Sequence, residues 1–282
     1  MGLYRYHLAP SNPPSSPMRP TALHALAQAD VPTKLAEVLA IDPHSVPNPQ
    51  QRPQPAAVLP GRPQRPQLVA PQNLPKRSLH TPLGRATLIH ALAHIELNAV
   101  DLALDAVWRF DGMPPAFYAD WLRVAQDEAR HFRLLQAHLQ TLGYDYGDFD
   151  AHNGLWEMAE KTADDALARM ALVPRVLEAR GLDVAPGLRD GLARAGDAAA
   201  ASILDVILRE EIGHVAIGNR WYRWLCAQRG LDPLHADADL AQRYRAPPLR
   251  GPFNMAARAA AGFDALELQA LQQARTPAQE AR

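Results

Sequence analysis

The feature that most constrains this chain is a motif that occurs twice, a glutamate followed three residues later by a histidine. The two copies are Glu128 with His131 and Glu211 with His214. Residues three apart in an α-helix share a face, so each copy points a carboxylate and an imidazole in the same direction. Both copies lie within long apolar helical patterns. The sequence therefore predicts two helices that each bring this pair of side chains to the core.

A third carboxylate is predicted from the spacing around a turn. Helical bundles that hold two iron or manganese ions combine two Glu-x-x-His motifs with a single glutamate from each of two other helices. Glu96 lies in an apolar helical pattern over residues 86–110 that contains neither Gly nor Pro. Gly112 follows Glu96 by 16 residues and precedes Glu128 by 16 residues. Two antiparallel helices joined at Gly112 would place these glutamates at the same level, which favours Glu96 as a ligand.

The fourth carboxylate has two candidates on one stripe of the third predicted helix, Glu178 and Glu160. Glu178 precedes Glu211 by 33 residues, close to the 32 residues that separate the first pair of glutamates. Glu160 precedes Glu211 by 51 residues. The spacing therefore favours Glu178, and Glu160 is the alternative.

The helical patterns predict an all-α protein. Four long helices are expected over residues 86–110, 116–142, 154–180 and 198–229. Gly143 and Gly181 are predicted to end the second and third helices, and Pro174 to kink the third. The loop over residues 144–150 has a length that suits the long crossover of ferritin-like bundles. We therefore expect a ferritin-like four-helix bundle over residues 83–232.

Two extensions flank the predicted bundle. Residues 1–82 hold 17 of the 26 prolines and are expected to form a proline-rich extension with one or two short helices. Those helices are predicted to break at Pro32, with Thr33 as an N-cap. The proline-rich stretch is either a flexible arm or a strap that wraps over the helical body, and its interspersed apolar residues favour the strap. Residues 233–282 are expected to form a C-terminal strap and a short helix.

Composition excludes several classes of function. Cys226 is the single cysteine, which excludes an internal disulfide, a thiolate zinc site and an iron–sulfur cluster. The net charge of −1 gives no electrostatic reason to expect nucleic acid or an anionic membrane as a partner. The sequence has no uninterrupted apolar run of the roughly 18 residues that a membrane span requires. A reducing compartment, the cytoplasm, is the expected location.

Further polar residues are candidate hydrogen-bond partners of the ligands. Each ligand histidine needs a partner for its second ring nitrogen, commonly a carboxylate. Asp101, Asp127 and Asp205 are the candidates for that role, and the sequence does not choose among them. His94 is expected either to form a hydrogen bond with a ligand or to form a hydrogen bond between helices. Glu210 lies one position off the apolar stripe and is expected to face a neighbouring helix or solvent.

Four segments resemble the bacterial ferritin-like family catalogued as domain of unknown function 455. They are residues 94–99, 127–131, 177–183 and 210–214, and the tail over residues 250–263 is similar too. The resemblance covers about residues 55–270 and implies a ferritin-like fold with a carboxylate-bridged dimetal site. The ligands that it implies are Glu96, Glu128, His131, Glu178, Glu211 and His214. It implies no reaction, because the family is named for lacking one.

The leading functional prediction is an O₂-dependent oxidoreductase or hydroxylase. Its cofactor would be two metal ions, iron first and manganese or zinc as alternatives. Its partners would be a small-molecule substrate and an external electron donor. The alternatives are iron or peroxide handling and a non-catalytic, metal-stabilised scaffold. A substrate-sized cavity favours the first, a multimeric cage the second and a closed, dry core the third. The sequence leaves open whether the protein forms a homodimer. It also leaves open tRNA as a partner, by fold-level analogy with a tRNA-modifying hydroxylase.

Overall fold

The computed structural model describes residues 17–50, 52–74 and 78–273, and in this part of the chain the regular structure is helical, which confirms the all-α prediction. Residues 1–16 of the predicted proline-rich extension lie outside the described residues. The helices are α1 Met18–Ala27, α2 Val31–Ala40, α3 Pro82–Arg109, α4 Pro115–Thr141, α5 Gly154–Lys161, α6 Ala166–Leu172, α7 Ala179–Arg194, α8 Ala198–Arg229, α9 Pro233–Arg243, α10 Met255–Ala260 and α11 Ala265–Gln273. A π-helical turn, Val173–Glu178, joins α6 to α7.

Helices α3 and α4 form the central pair. The side chain of Thr81 caps α3 by accepting a hydrogen bond from the Gly84 amide. The Tyr118 hydroxyl donates to the Phe110 carbonyl at 2.7 Å and fixes the short turn between the two helices. Helix α3 is long and apolar enough to cross a membrane by length and composition, yet 83% of its most apolar window is buried inside the protein. Such burial is typical of a core helix.

Helix α8 matches the sequence prediction in both bounds. The side chain of Asp197 accepts a hydrogen bond from the Ala200 amide and caps the N-terminus. Gly230 ends the helix in the left-handed conformation, with φ +63°, which glycine adopts without strain. Helix α8 packs against α4, α6 and α7 and so spans the core.

The predicted third helix, residues 154–180, is in fact four segments: α5, α6, the π-helical turn and α7. Asp165 starts α6 by accepting a hydrogen bond from the Leu167 amide. Pro174 lies within the π-helical turn, where the expected kink occurs. Gly181 does not end the helix, because α7 runs on to Arg194. A glycine inside a helix costs only about 1 kcal/mol, and burial of neighbours such as Leu182 outweighs that cost.

The N-terminal helices differ from the prediction at one cap. Asp30, and not Thr33, is the N-cap of α2, and its carboxylate accepts a hydrogen bond from the Thr33 amide at 3.0 Å. Pro32 lies in the first turn of α2, where proline is favoured, so it does not break the helix. Helix α1 packs on α3, and the buried Arg19 donates to the Trp108 carbonyl.

Residues 52–74, called the strap below, lie against the helical body. The Gly61 amide donates to the Leu26 carbonyl at 2.8 Å, and the Trp108 indole donates to the Pro53 carbonyl at 2.8 Å. Leu68 forms an isolated parallel bridge with Ala151, the residue that leads into α5. The strap therefore holds fixed positions relative to α1 and α3.

Within residues 233–273, the described part of the C-terminal extension, the chain forms three helices, α9 to α11, where the sequence predicted a strap and one short helix. The buried Arg258 of α10 binds Asp183 of α7 at 2.8 Å. Arg175, in the π-helical turn, binds Glu267 of α11 at 2.8 Å. The tail is thus attached to the segment that carries Glu178.

Candidate metal centre

Three long helices bring four of the predicted ligands together. Glu96 of α3, Glu128 and His131 of α4 and Glu211 of α8 each offer a ligand atom, and these atoms lie within 4.8 Å of one another. The first three side chains are buried, and that of Glu211 is 12% exposed. A cluster of carboxylate and imidazole groups this close together could bind a metal ion.

Glu128 lies between the two histidines. Its Oε2 atom is 3.1 Å from His131 Nδ1, and its Oε1 atom is 2.9 Å from His214 Nδ1. His131 Nδ1 is also 3.2 Å from Glu96 Oε2, and His214 Nδ1 is 3.5 Å from Glu211 Oε1. Glu128 therefore presents one carboxylate oxygen to each of the two histidines.

Glu178 is brought to the same place by the π-helical turn. Its carboxyl is buried, and burial raises its pKa well above the usual range, with the negative charges of Glu211 and Glu128 adding to the effect. Glu160, the alternative, lies on α5 and accepts a hydrogen bond from the Trp156 indole at 3.0 Å. Of the two candidates, only Glu178 approaches the other glutamates.

Several ligand atoms of this cluster lack ordinary hydrogen-bond partners. Four of them are buried without such a partner: Glu128 Oε1, Glu178 Oε2, Glu211 Oε2 and His214 Nδ1. A buried polar atom left unpaired costs about 1–3 kcal/mol, so several such atoms facing one another need an explanation. Four carboxylates and two neutral imidazoles carry four negative charges, which two divalent cations would neutralise. The donor set therefore fits a pair of metal ions.

Without bound cations, the pKa values of His131 and Glu96 are both raised above their usual range. Burial lowers the pKa of His131, but its hydrogen bonds to Glu128 and Glu96 and their charges outweigh that effect and raise it to about 11. Burial, and then the charge of Glu128, raise the pKa of Glu96 to about 8. The metal-free native state thus holds protons at neutral pH that the unfolded chain would release. Metal ions would have to displace these protons.

The Nε2 atom of each ligand histidine is hydrogen-bonded to the residue that precedes the glutamate of the other motif. His214 Nε2 donates to Asp127, the residue before Glu128, at 3.2 Å. His131 Nε2 donates to Glu210, the residue before Glu211, at 2.9 Å. With the Nε2 proton donated to these carboxylates, loss of the Nδ1 proton would leave the Nδ1 lone pair facing the cluster, which is the tautomer that a metal ligand needs.

Arg130 connects these two carboxylates. Its guanidinium lies 2.6 Å from Asp127 Oδ1 and 3.1 Å from Glu210 Oε2. Burial raises the pKa of Asp127, but its hydrogen bonds with His214 and Arg130 outweigh that effect and leave the pKa below the usual range. Asp127 therefore stays ionised beside the ring that it orients.

Three of the candidate partner residues lie elsewhere. Asp205 is half exposed and binds Arg189, since it faces outward from α8. Asp101 forms a buried ion pair with Lys34 of α2 at 2.5 Å. His94 contacts the Tyr146 hydroxyl and the backbone of the loop before α5. Glu210 was expected to face a neighbouring helix or solvent, and it does face α4. There it accepts a hydrogen bond from His131, a contact that sequence spacing did not predict.

A cavity of about 210 Å³ borders the cluster. Glu96, Glu178 and Glu211 form one wall. Most of the other lining side chains are apolar, contributed mainly by α3, the π-helical turn, α7 and α8, among them Leu92, Ala99, Leu177, Val184, Leu204 and Ile207. Gly181 also lines the cavity, and a Cβ atom added there would meet open space.

Comparison with known proteins identifies the family. A family model described as "Protein of unknown function (DUF455)" matches residues 11–269. The chain belongs to the DUF455 family. This confirms the resemblance to domain of unknown function 455, and the ferritin-like fold stays a prediction. A relative, an uncharacterized protein of Haemophilus influenzae, is 54% identical over 213 residues, which are 73% of this chain and 74% of that protein. No solved structure matches the chain.

Proposed function

We propose that this protein is a dimetal carboxylate oxidoreductase that uses dioxygen to hydroxylate a small apolar molecule. The cavity carries the proposal, because three of the four clustered carboxylates form a wall of an otherwise largely apolar space of about 210 Å³. Small-molecule sites are commonly apolar clefts with a few converging polar groups. A substrate in this cavity would lie directly beside the ions.

The ligand positions divide into two groups that share Glu128. Glu96 and His131 belong to one group, and Glu211 and His214 to the other. Glu178 would join the second group, since the negative charge of Glu211 acts more strongly on its carboxyl than that of Glu128 or Glu96 does. The bundle would be ferritin-like, with one glutamate from α3, one from the π-helical turn and a Glu-x-x-His motif from each of α4 and α8.

Two bound iron ions would supply the electron transfer to dioxygen that C–H oxidation requires. In the overall reaction, one oxygen atom of dioxygen is inserted into a C–H bond of the substrate and gives C–OH. The other oxygen atom leaves as water, with two electrons and two protons from an external donor. The chain's own residues exclude water with the apolar walls and hold the substrate against the carboxylates. Asp127 and Glu210 keep the imidazoles in one orientation.

The cavity also separates this proposal from its alternatives. A non-catalytic scaffold predicts a closed, dry core with no space beside the ligands. An iron-handling protein needs a polar path along which hydrated ions reach the site. The space that borders this cluster is instead lined mainly by leucine, isoleucine, valine and alanine. An apolar organic molecule suits it better than a hydrated ion does.

The test compares two glycines of α7. Gly181 and Gly187 both have open space where a Cβ would lie, but only Gly181 lines the cavity. The purified protein is expected to hold about two metal ions per chain. The ferrous-loaded protein would then be supplied with oxygen, ascorbate and toluene as an apolar probe. Benzyl alcohol or cresols would be measured by gas chromatography with mass spectrometry.

Gly181→Leu is expected to suppress product formation while metal content is unchanged, and Gly187→Leu is expected to behave like the parent protein. Absence of metal would contradict the ligand assignment. Metal without any oxidised toluene, or equal activity in both variants, would contradict the hydroxylase proposal. Ferrous oxidation by a large multimer without product would support iron handling instead.

A further inference from the structure

A second cavity, of about 370 Å³, lies beneath the strap and on a different side of α3. Its polar lining includes Lys34, Arg62, Asn98 and Asp101. Asn98 follows Glu96 by two residues and is therefore about 200° away around the helix. None of the six clustered glutamates and histidines lines this cavity. It is thus separate from the candidate metal centre.

The charges around this cavity favour an anion. Lys34 and Asp101 form a buried ion pair, and Lys34 also donates to the Gly61 carbonyl of the strap at 2.9 Å. Arg62 is half-buried and uses one N–H group to bind Asn153 Oδ1 at 2.7 Å. A guanidinium has five N–H groups, so Arg62 keeps donors for a ligand. Two cations face one carboxylate, and the lining carries one net positive charge.

Asn98 lines the cavity and carries a hydrogen-bond acceptor that no group in the described part of the chain satisfies. Its side chain is 2% exposed, and its amide N–H donates to the His94 carbonyl at 2.8 Å. Its Oδ1 atom is buried and has no hydrogen-bond partner. Leaving a buried acceptor unsatisfied is unfavourable, and a hydroxyl or amino group of a ligand would satisfy it.

We propose that this cavity binds a small organic anion that carries hydroxyl or amino groups of its own. The anionic group, a phosphate or a carboxylate, binds Arg62, and a donor group of the same molecule binds Asn98 Oδ1. The volume lies at the lower end of the range of small-molecule sites, which is about 300–1,000 Å³. Because the strap supplies Arg62, the bound ligand also ties the strap to α3.

The test uses three probes on the metal-free protein: ribose 5-phosphate, gluconate and uncharged ribose. Isothermal titration calorimetry would measure the dissociation constant of each. Saturable binding of ribose 5-phosphate or gluconate, and weaker binding of ribose, are expected. The two anions distinguish a phosphate from a carboxylate. Because the metal-free protein is used, failure here is independent of failure at the metal centre.

Arg62 and Arg65 provide a matched pair on the strap, since Arg65 does not line this cavity. Arg62→Gln is expected to weaken anion binding about 10-fold to 100-fold, the effect of losing one charge-assisted hydrogen bond. Arg65→Gln is expected to leave binding unchanged. Binding of neither anion, equal binding of ribose, or equal loss in both variants would overturn the proposal.

A second variant guards against unfolding of the first. Asn98→Leu keeps the side-chain volume similar and removes the buried acceptor. It is expected to weaken binding of the same anion, with a thermal unfolding midpoint that shows a folded protein. Unchanged affinity in a folded Asn98→Leu variant would refute the assigned role of Asn98 and, with it, the two-point recognition proposed here.

Discussion

Removal of the carboxylate that orients a ligand histidine is expected to weaken metal binding without removing a ligand. Asp127 accepts the Nε2–H of His214 at 3.2 Å and also binds Arg130. Replacement by alanine leaves the ring without its acceptor, so the tautomer with its lone pair toward the cluster is no longer favoured. The expected result is weaker binding at the half of the cluster that includes His214.

The expected loss of metal affinity depends on whether the substituted side chain can still accept the hydrogen bond from His214. Mutation of such partners typically weakens metal affinity about 10-fold to 100-fold, or roughly 1.4–2.7 kcal/mol. Asp127→Ala removes the acceptor and leaves Arg130 with only Glu210, so it is expected near the upper end. Asp127→Asn keeps an oxygen that accepts the same hydrogen bond and loses only the charge. It is expected near the lower end.

Affinity for Mn²⁺ would be measured by competition with a fluorescent divalent-metal chelator. Asp205→Ala is the matched control, because Asp205 is an exposed aspartate of α8 that binds Arg189 and not a ligand histidine. Both variants should unfold at similar temperatures without metal. Full affinity for two ions in Asp127→Ala would refute the role assigned to Asp127. A similar loss in Asp205→Ala would show that the effect is not specific to the site.

Three further predictions concern the site and the helix beside it. Changing both Glu128 and Glu211 to Ala is expected to abolish dimetal binding, measured by plasma mass spectrometry, and retained stoichiometric metal would contradict the ligand assignment. The metal-free protein is expected to lose stability as pH rises from about 6.5 to about 8, because the native state raises the pKa values of His131 and Glu96. The expected loss is about 1.4 kcal/mol per pH unit for each proton that only the native state holds. Thermal unfolding across this range would test it, and a flat profile would contradict those pKa shifts. Gly218→Ala is expected to destabilise the protein by about 1–3 kcal/mol, since its Cβ would lie 2.4 Å from Pro174, whereas Gly213→Ala meets open space and should not destabilise it. Chemical denaturation of the two variants would decide.

Spacing along the sequence predicted the glutamates that the structure brings close together. Glu96 and Glu128 lie at equal distances from the turn at Gly112, and the structure joins α3 and α4 there. Counting residues selected Glu178 over Glu160 even though the second pair of helical segments is interrupted. The count succeeds because the rise per residue of a helix is nearly constant, so paired glutamates need similar separations.

Other features depended on contacts between distant parts of the chain. Glu210 lies one position off the apolar stripe of α8, and only the packing of α8 on α4 shows that it meets His131. Lys34 and Asp101 are 67 residues apart and pair because α2 and the strap fold over α3. Gly181 continues a helix because local propensity is weaker than burial of the surrounding side chains.

The π-helical turn makes the position of Glu178 sensitive to chain length. An α-helix advances about 100° per residue, so deleting one residue between Val173 and Glu178 would swing the glutamate by about that angle. A deletion in the loop between α5 and α6 would instead be taken up before the helix begins. Insertions and deletions are therefore expected to be tolerated in the loop between α5 and α6, whereas within the π-helical turn they would move Glu178 away from the cluster.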